Sequence, residues 1–120
     1  MPLTQTGPGP VGLGTAAAVQ ERGNAWIVGV DNDWAVVNSD YADVILTSVL
    51  KNMDVTTLAA IQSAIDGTFA GGVTVGTLAN GGVGLASLAS GVPAGLQAEL
   101  DQVKADIIAG KIKVADYMAD

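Results

Sequence analysis

The run Ala25-Trp-Ile-Val-Gly-Val-Asp31 constrains this chain more than any other segment, because it is uncharged and apolar until it stops at a carboxylate. It reads as a buried β-strand, and the end of such a strand is where an open α/β sheet places groups that touch a ligand. A second apolar run, Asp43-Val-Ile-Leu-Thr-Ser-Val-Leu-Lys-Asn52, again closes on a charged and an amide residue, Lys51 and Asn52. Two strands ending in ligand-capable polar groups point to a small-molecule cleft.

The segments around them alternate in type. Residues 1–10 hold three of the four prolines and no hydrophobic period, and read as a loop or disordered N-terminus. From Val11 to Arg22 the run Ala16 to Val19 favours helix, with Gly23 as its left-handed stop. Residues 32–42 read as a surface loop onto which Trp34 folds back, and Val44 to Leu50 as the next strand. Asp54 is placed to cap a helix running to Ile65, with Leu58, Ile61 and Ile65 on one face, Gly67 past its end and Phe69 anchoring the turn. Val73 to Val75 reads as a short strand. Gly81-Gly-Val-Gly-Leu85 is too rich in glycine for an ordinary strand and predicts a close backbone approach. Pro93 at a start, Leu96, Leu100, Val103 and Ile107 at helical spacing, and Gly110 at an end define a last helix, and the tail from Ile112 adds a short extended piece. The order predicts an α/β fold, parallel strands with flanking helices.

Composition closes off several functions. A chain of 120 residues can bury about two-thirds of its unfolded surface, but only 4% of this one is aromatic, so stability is expected to be modest. Net charge is −7 and the basic residues Arg22, Lys51, Lys104, Lys111 and Lys113 are scattered, so nucleic acid is not an expected partner. With no cysteine and no histidine, thiolate metal sites, disulfides and Ser-His-Asp or Cys-His enzymes are excluded. No pair of acidic residues has the spacing of an acid and base acting on one substrate, so no enzyme, cofactor or metal site is expected. No apolar run reaches the roughly 18 residues of a membrane span, and the first ten residues do not read as a signal peptide.

Two local patterns are weaker than they look. Gly7-Pro-Gly-Pro-Val-Gly12 satisfies G-x-G-x-x-G with Asp31 downstream, but no buried strand precedes it and its prolines remove amide donors a pyrophosphate would need. Asp31-Asn-Asp33 opens like a calcium loop, yet its sixth and twelfth positions would be Val36 and Ala42 rather than glycine and glutamate. Asp31 itself is placed to receive adjacent sugar hydroxyls, or equally to bond a nearby backbone amide. Lys51 reads as an ordinary exposed lysine unless the fold brings it to the ligand.

Taken in order, Trp26-Ile-Val-Gly-Val-Asp31, Asp43-Val-Ile-Leu-Thr-Ser-Val-Leu-Lys-Asn52-Met-Asp54, Gly71-Gly-Val, Leu78-Ala-Asn-Gly-Gly-Val-Gly-Leu85 and Ile108-Ala-Gly-Lys-Ile-Lys-Val114 resemble the basic membrane protein (BMP) family. These are PnrA-like substrate-binding lipoproteins of ABC transporters, periplasmic or at the cell surface, several of which bind purine nucleosides. The resemblance spans residues 10–114. It implies part of a type I periplasmic-binding-protein (Rossmann-like) fold, in which two lobes close on a ligand. Residues 11–43 and 86–120 would belong to the C-terminal lobe, and 44–85 would supply hinge strands and a helix of the N-terminal lobe. Asp31 matches an aspartate that bonds ribose hydroxyls, and Lys51 a lysine near the ligand. The resemblance also implies an ABC permease as partner. The family's base-stacking aromatic, first-lobe polar groups and lipoprotein cysteine find no match, so the chain is expected to hold the C-terminal portion only and, by itself, to bind a purine nucleoside or similar small solute weakly or not at all. An unpacked helix at 54–66 would then favour a homo-oligomer. The alternative reading is an autonomous oligomeric structural module that has lost ligand binding.

Overall fold

Parallel strands dominate the computed structural model, which describes residues 3–5 and 11–118. It divides into two units, one running to Ala89 and one from Ser90. Among the described residues the first unit holds β1 (Leu3–Gln5), α1 (Val11–Arg22), β2 (Trp26–Asp31), α2 (Trp34–Val37), a 3-10 turn (Ser39–Val44), β3 (Ile45–Lys51), α3 (Met53–Ile65) and β4 (Val83–Leu85). The sheet order is β1-β2-β3-β4; the first two pairings are parallel and β3 with β4 is antiparallel. The α/β class expected from the sequence is therefore present, with one antiparallel edge.

The strand ending in Asp31 and the helix stopped by Gly23 are both present. Gly23 has φ of 64° and its amide donates to the Val19 carbonyl, closing α1 as a left-handed stop should. Leu3–Gln5 corrects the expectation of a loop, for it pairs in parallel with Trp26, Ile27 and Val28. Its alternation is too short to see in sequence, and only the neighbouring strand gives its backbone groups partners. The rest of the expected N-terminal loop lies outside the described residues.

Residues 32–42 also depart from expectation. They are not a surface loop: Trp34 is 4% exposed, at the head of α2, and packs in a core with Ala16, Val19, Ala25, Ile27, Val44 and Ile45. The reason is topological. Two parallel neighbours need a crossover of about a dozen residues, and that crossover has to cover a sheet face on its way. Asp33 caps α2 by accepting from the Ala35 amide at 3.1 Å. Gly29 makes the packing fit, since a Cβ there would lie 2.5 Å from Ser48 Oγ and 2.6 Å from Trp34 Cγ.

Three further expectations are corrected. The cap of α3 is Asn52, with Asp54 inside the first turn, where a carboxylate favours the positive end of the helix dipole. Phe69 anchors nothing and is exposed, and residues 73–75 form no strand, Val73 being 94% exposed. A period of two gives a ladder only where an edge stands ready to pair with it. The glycine run behaves as its composition predicts: β4 is three residues long, and Gly82 lies so close to Gly76 that neither tolerates a Cβ without displacement.

In the second unit α4 (Leu96–Ile108) begins after Gly95, three residues later than Pro93, and Gly110 follows with φ of 74°. The expected extended tail is instead a 3-10 turn at Val114–Tyr117.

Candidate functional site

Asp31 leaves β2 in an unusual conformation. Its φ is 74°, the one positive φ at a non-glycine residue among those described. The next amide, Asn32 N, donates back to the Val30 carbonyl at 3.0 Å. A positive φ with a bond across one residue is the rare, strained form of γ-turn, and such strain clusters at ligand sites. The turn breaks the β2 ladder at the last residue paired with β3, where Asp31 stands opposite Leu50.

Lys51 is the last residue of β3, and its Nζ lies 3.7 Å from Asp31 Oδ1. The two residues singled out from sequence are thus brought together. Both side chains are substantially exposed, at 62% for Lys51 and 40% for Asp31, so the pair adds little to stability and leaves the carboxylate accessible.

Beside Asp31 lies a depression of about 290 Å³ lined by Leu13, Val30, Asp31, Asn32, Trp34, Val37 and Asn38. Its volume is at the lower edge of the range for small-molecule sites, and its lining combines apolar surface with a few polar groups. Leu13 comes from α1, Trp34 and Val37 from α2, and Asn38 from the turn after it. Sequence reasoning missed Leu13, Asn32, Val37 and Asn38. The polar groups were visible as residues flanking a loop, but Leu13 reaches the site only because α1 packs beside β2.

The other acidic residues of this region have structural partners. Asp33 caps α2, and Asp43 accepts from Gln20 Nε2 at 2.8 Å. Among the described residues no group of three or more acidic side chains is arranged to hold a metal. Trp34 offers no stacking face of the usual exposed kind: it is buried, and its indole N–H donates to the Val30 carbonyl at 3.0 Å.

Immediately after Lys51, at the same end of β3, the chain is clamped to the glycine segment. Asn52 donates from its backbone amide to the Gly82 carbonyl at 2.9 Å and from its side chain to the Gly81 carbonyl at 2.8 Å. Asn80 organises the adjoining turn, its Oδ1 accepting from Thr77 N and Gly82 N while Nδ2 donates to the Val75 carbonyl.

The profile of the Bmp family, described as ABC transporter substrate-binding protein PnrA-like, matches residues 5–117. A search of curated proteins returns no match. Among solved structures the chain is similar to an ABC transporter solute-binding protein from Aeropyrum pernix K1, with TM-score 0.69 and 23% identity, over 94% of this chain and 40% of that one. It is also similar to an ABC transporter solute-binding protein from Conexibacter woesei DSM 14684, with TM-score 0.66 and 25% identity, over 92% and 36%. A transcriptional activator of the comK gene from Bacillus halodurans shares the fold at TM-score 0.72 and 19% identity, over 90% and 37%, so this architecture alone does not fix a role. The chain spans about 40% of the length of the Aeropyrum relative. The fold is that of part of a type I periplasmic-binding protein. With the profile running through nearly all of the sequence, the chain belongs to the PnrA-like family of ABC transporter substrate-binding proteins.

Proposed function

We propose that this chain contributes to the solute-binding component of an ABC transporter, acting outside the cytoplasm and delivering its solute to a membrane permease, with a purine nucleoside as the solute. The observation that carries the reading is Asp31: an accessible carboxylate at the C-terminal end of a partly buried strand, in a left-handed turn at the last rung of the ladder and lining a small depression. A carboxylate accepts two hydrogen bonds in fixed geometry, which suits the adjacent 2′ and 3′ hydroxyls of a ribose. Lys51 steadies that carboxylate and offers its ammonium to the ligand. The reading assigns β3 and the segment at 76–85, clamped by Asn52, as hinges about which two lobes close on the solute.

Calorimetric titration with inosine, guanosine and adenosine tests this on the wild type and on Asp31→Ala. The expected result is heat on binding that weakens at least about tenfold in the variant, because a hydrogen bond to a charged group contributes about 1.5–3 kcal/mol. Equal binding by both proteins, or none at millimolar nucleoside, contradicts the reading.

The α3 face supports a second element of the proposal, a homo-oligomer. None of the residues of α3 is buried, and Leu58, Ile61 and Ile65 line an apolar surface that a second copy would cover. Sedimentation velocity at micromolar concentration reports it directly; a compact monomer rules it out.

A further inference from the structure

The nucleoside reading rests on where Asp31 points, and the structure also shows what keeps it pointing there. The Val30 carbonyl accepts two donors: the Asn32 amide, which closes the strained turn at Asp31, and the Trp34 indole N–H, each at 3.0 Å. One bond is local and made by the turn itself. The other arrives from α2. Trp34 is in turn fixed at both ends, its backbone amide donating to Ser48 Oγ at 3.0 Å and its ring lying over Gly29, where any Cβ would collide with it.

We propose that Trp34 is the positioning residue of the ligand site: its indole N–H pins the Val30 carbonyl, and so holds Asp31 in the left-handed conformation that presents its carboxylate. An L-residue avoids positive φ, and the cost is comparable in size to one net hydrogen bond. The carbonyl rotates with the peptide plane between Val30 and Asp31, so anchoring its oxygen limits how Asp31 can leave its turn. Without the anchor, the residue relaxes to the extended conformation that continues β2, and the carboxylate moves away from its place beside Lys51. This inference rests on the nucleoside reading for its ligand consequence, but its conformational core does not require any ligand.

The experiment replaces Trp34 by 3-benzothienylalanine, which keeps the bicyclic shape and removes the N–H donor, with Trp34→Phe as a second variant. Two readouts are taken. The first is the intraresidue amide–Hα nuclear Overhauser effect of Asp31, which is strong at positive φ. It is expected to weaken in the analogue while signals from the Ile27 and Ile45 methyls stay in place. The second is affinity for inosine and for 2′,3′-dideoxyinosine, which lacks the hydroxyls Asp31 would bond. Inosine binding is expected to fall about tenfold and dideoxyinosine binding to stay unchanged. An unaltered Asp31 signal overturns the proposal, as does an equal loss of both ligands, which would mean that the ring acts through packing alone. If Asp31 relaxes but the wild type binds no inosine, the positioning role stands and the nucleoside reading falls.

Discussion

Helices α1 and α3 have nearly the same length, 12 and 13 residues, and both carry apolar side chains at helical spacing. In α1, Gly12, Ala16 and Val19 are buried beside β2, whereas α3 buries nothing. The difference teaches what periodicity does and does not report. It identifies the face that avoids water, and it is silent about what covers that face. The same contrast separates the two halves of the first unit. Around β2 the chain has packed itself into a core and a strained, accessible carboxylate. Around α3 it presents a surface whose energy depends on something else being bound.

Core truncation should expose this contrast most strongly. Ile27 is fully buried, so Ile27→Ala is expected to cost about 3 kcal/mol in urea unfolding, from lost transfer energy and the cavity left behind. Ile61→Ala on the α3 face should stay within about 0.5 kcal/mol in a monomeric sample. Equal losses at both positions would break the comparison. Next in size is the turn at Asp31. A β-branched residue tolerates positive φ poorly, so Asp31→Val is expected to cost about 1–2 kcal/mol, although the site is partly exposed and valine favours strands elsewhere. Asp31→Gly should fall within about 0.5 kcal/mol of wild type, because glycine enters that conformation freely. A stable valine variant would show that the turn carries no strain.

On the other side of the comparison, Leu58→Asp with Ile61→Asp should lower self-association in sedimentation velocity without unfolding the chain, since neither residue belongs to the core. The smallest effect lies in the second unit. A hydrogen bond from Lys111 at 3.0 Å, with help from Gln102, holds the Asp106 carboxyl below its ordinary 3.8. A depressed folded value means that the interaction stabilises the fold above the unfolded pKa and is lost as pH falls through the folded one. Lys111→Ala should therefore move the Asp106 titration, followed by carboxyl 13C shifts, back up toward the ordinary value.

Much of this fold was legible in sequence, for identifiable reasons. The strand at Trp26–Asp31 and helix α1 with its Gly23 stop are set by local composition, and they stand where expected. The close approach of Gly76 and Gly82 followed from glycine density, which has few other causes. The errors fell where tertiary context decides. Leu3–Gln5 becomes a strand because it pairs with β2, whereas residues 73–75 pair with no strand among the described residues. The burial of Trp34 is hidden in sequence because its segment is polar at both ends, while the need to cross between parallel strands draws it inward. In the site, Asp31 and Lys51 were visible as strand-terminal charges. The positive φ was not, since aspartate at a strand end gives no sign of a left-handed turn. Nor were Leu13 and Val37, whose apolar side chains look like any others until the chain folds around them.

The central claim is that the C-terminal end of β2 is where this chain meets its solute. Inosine titrated into 15N-labelled protein and followed by amide chemical shifts tests it residue by residue. The shifts are expected to centre on Val30, Asp31, Asn32 and Lys51, with smaller changes at Trp34 and Asn38, and to disappear in Asp31→Ala. Perturbations centred elsewhere, unchanged by that substitution, or absent at millimolar inosine would contradict the account.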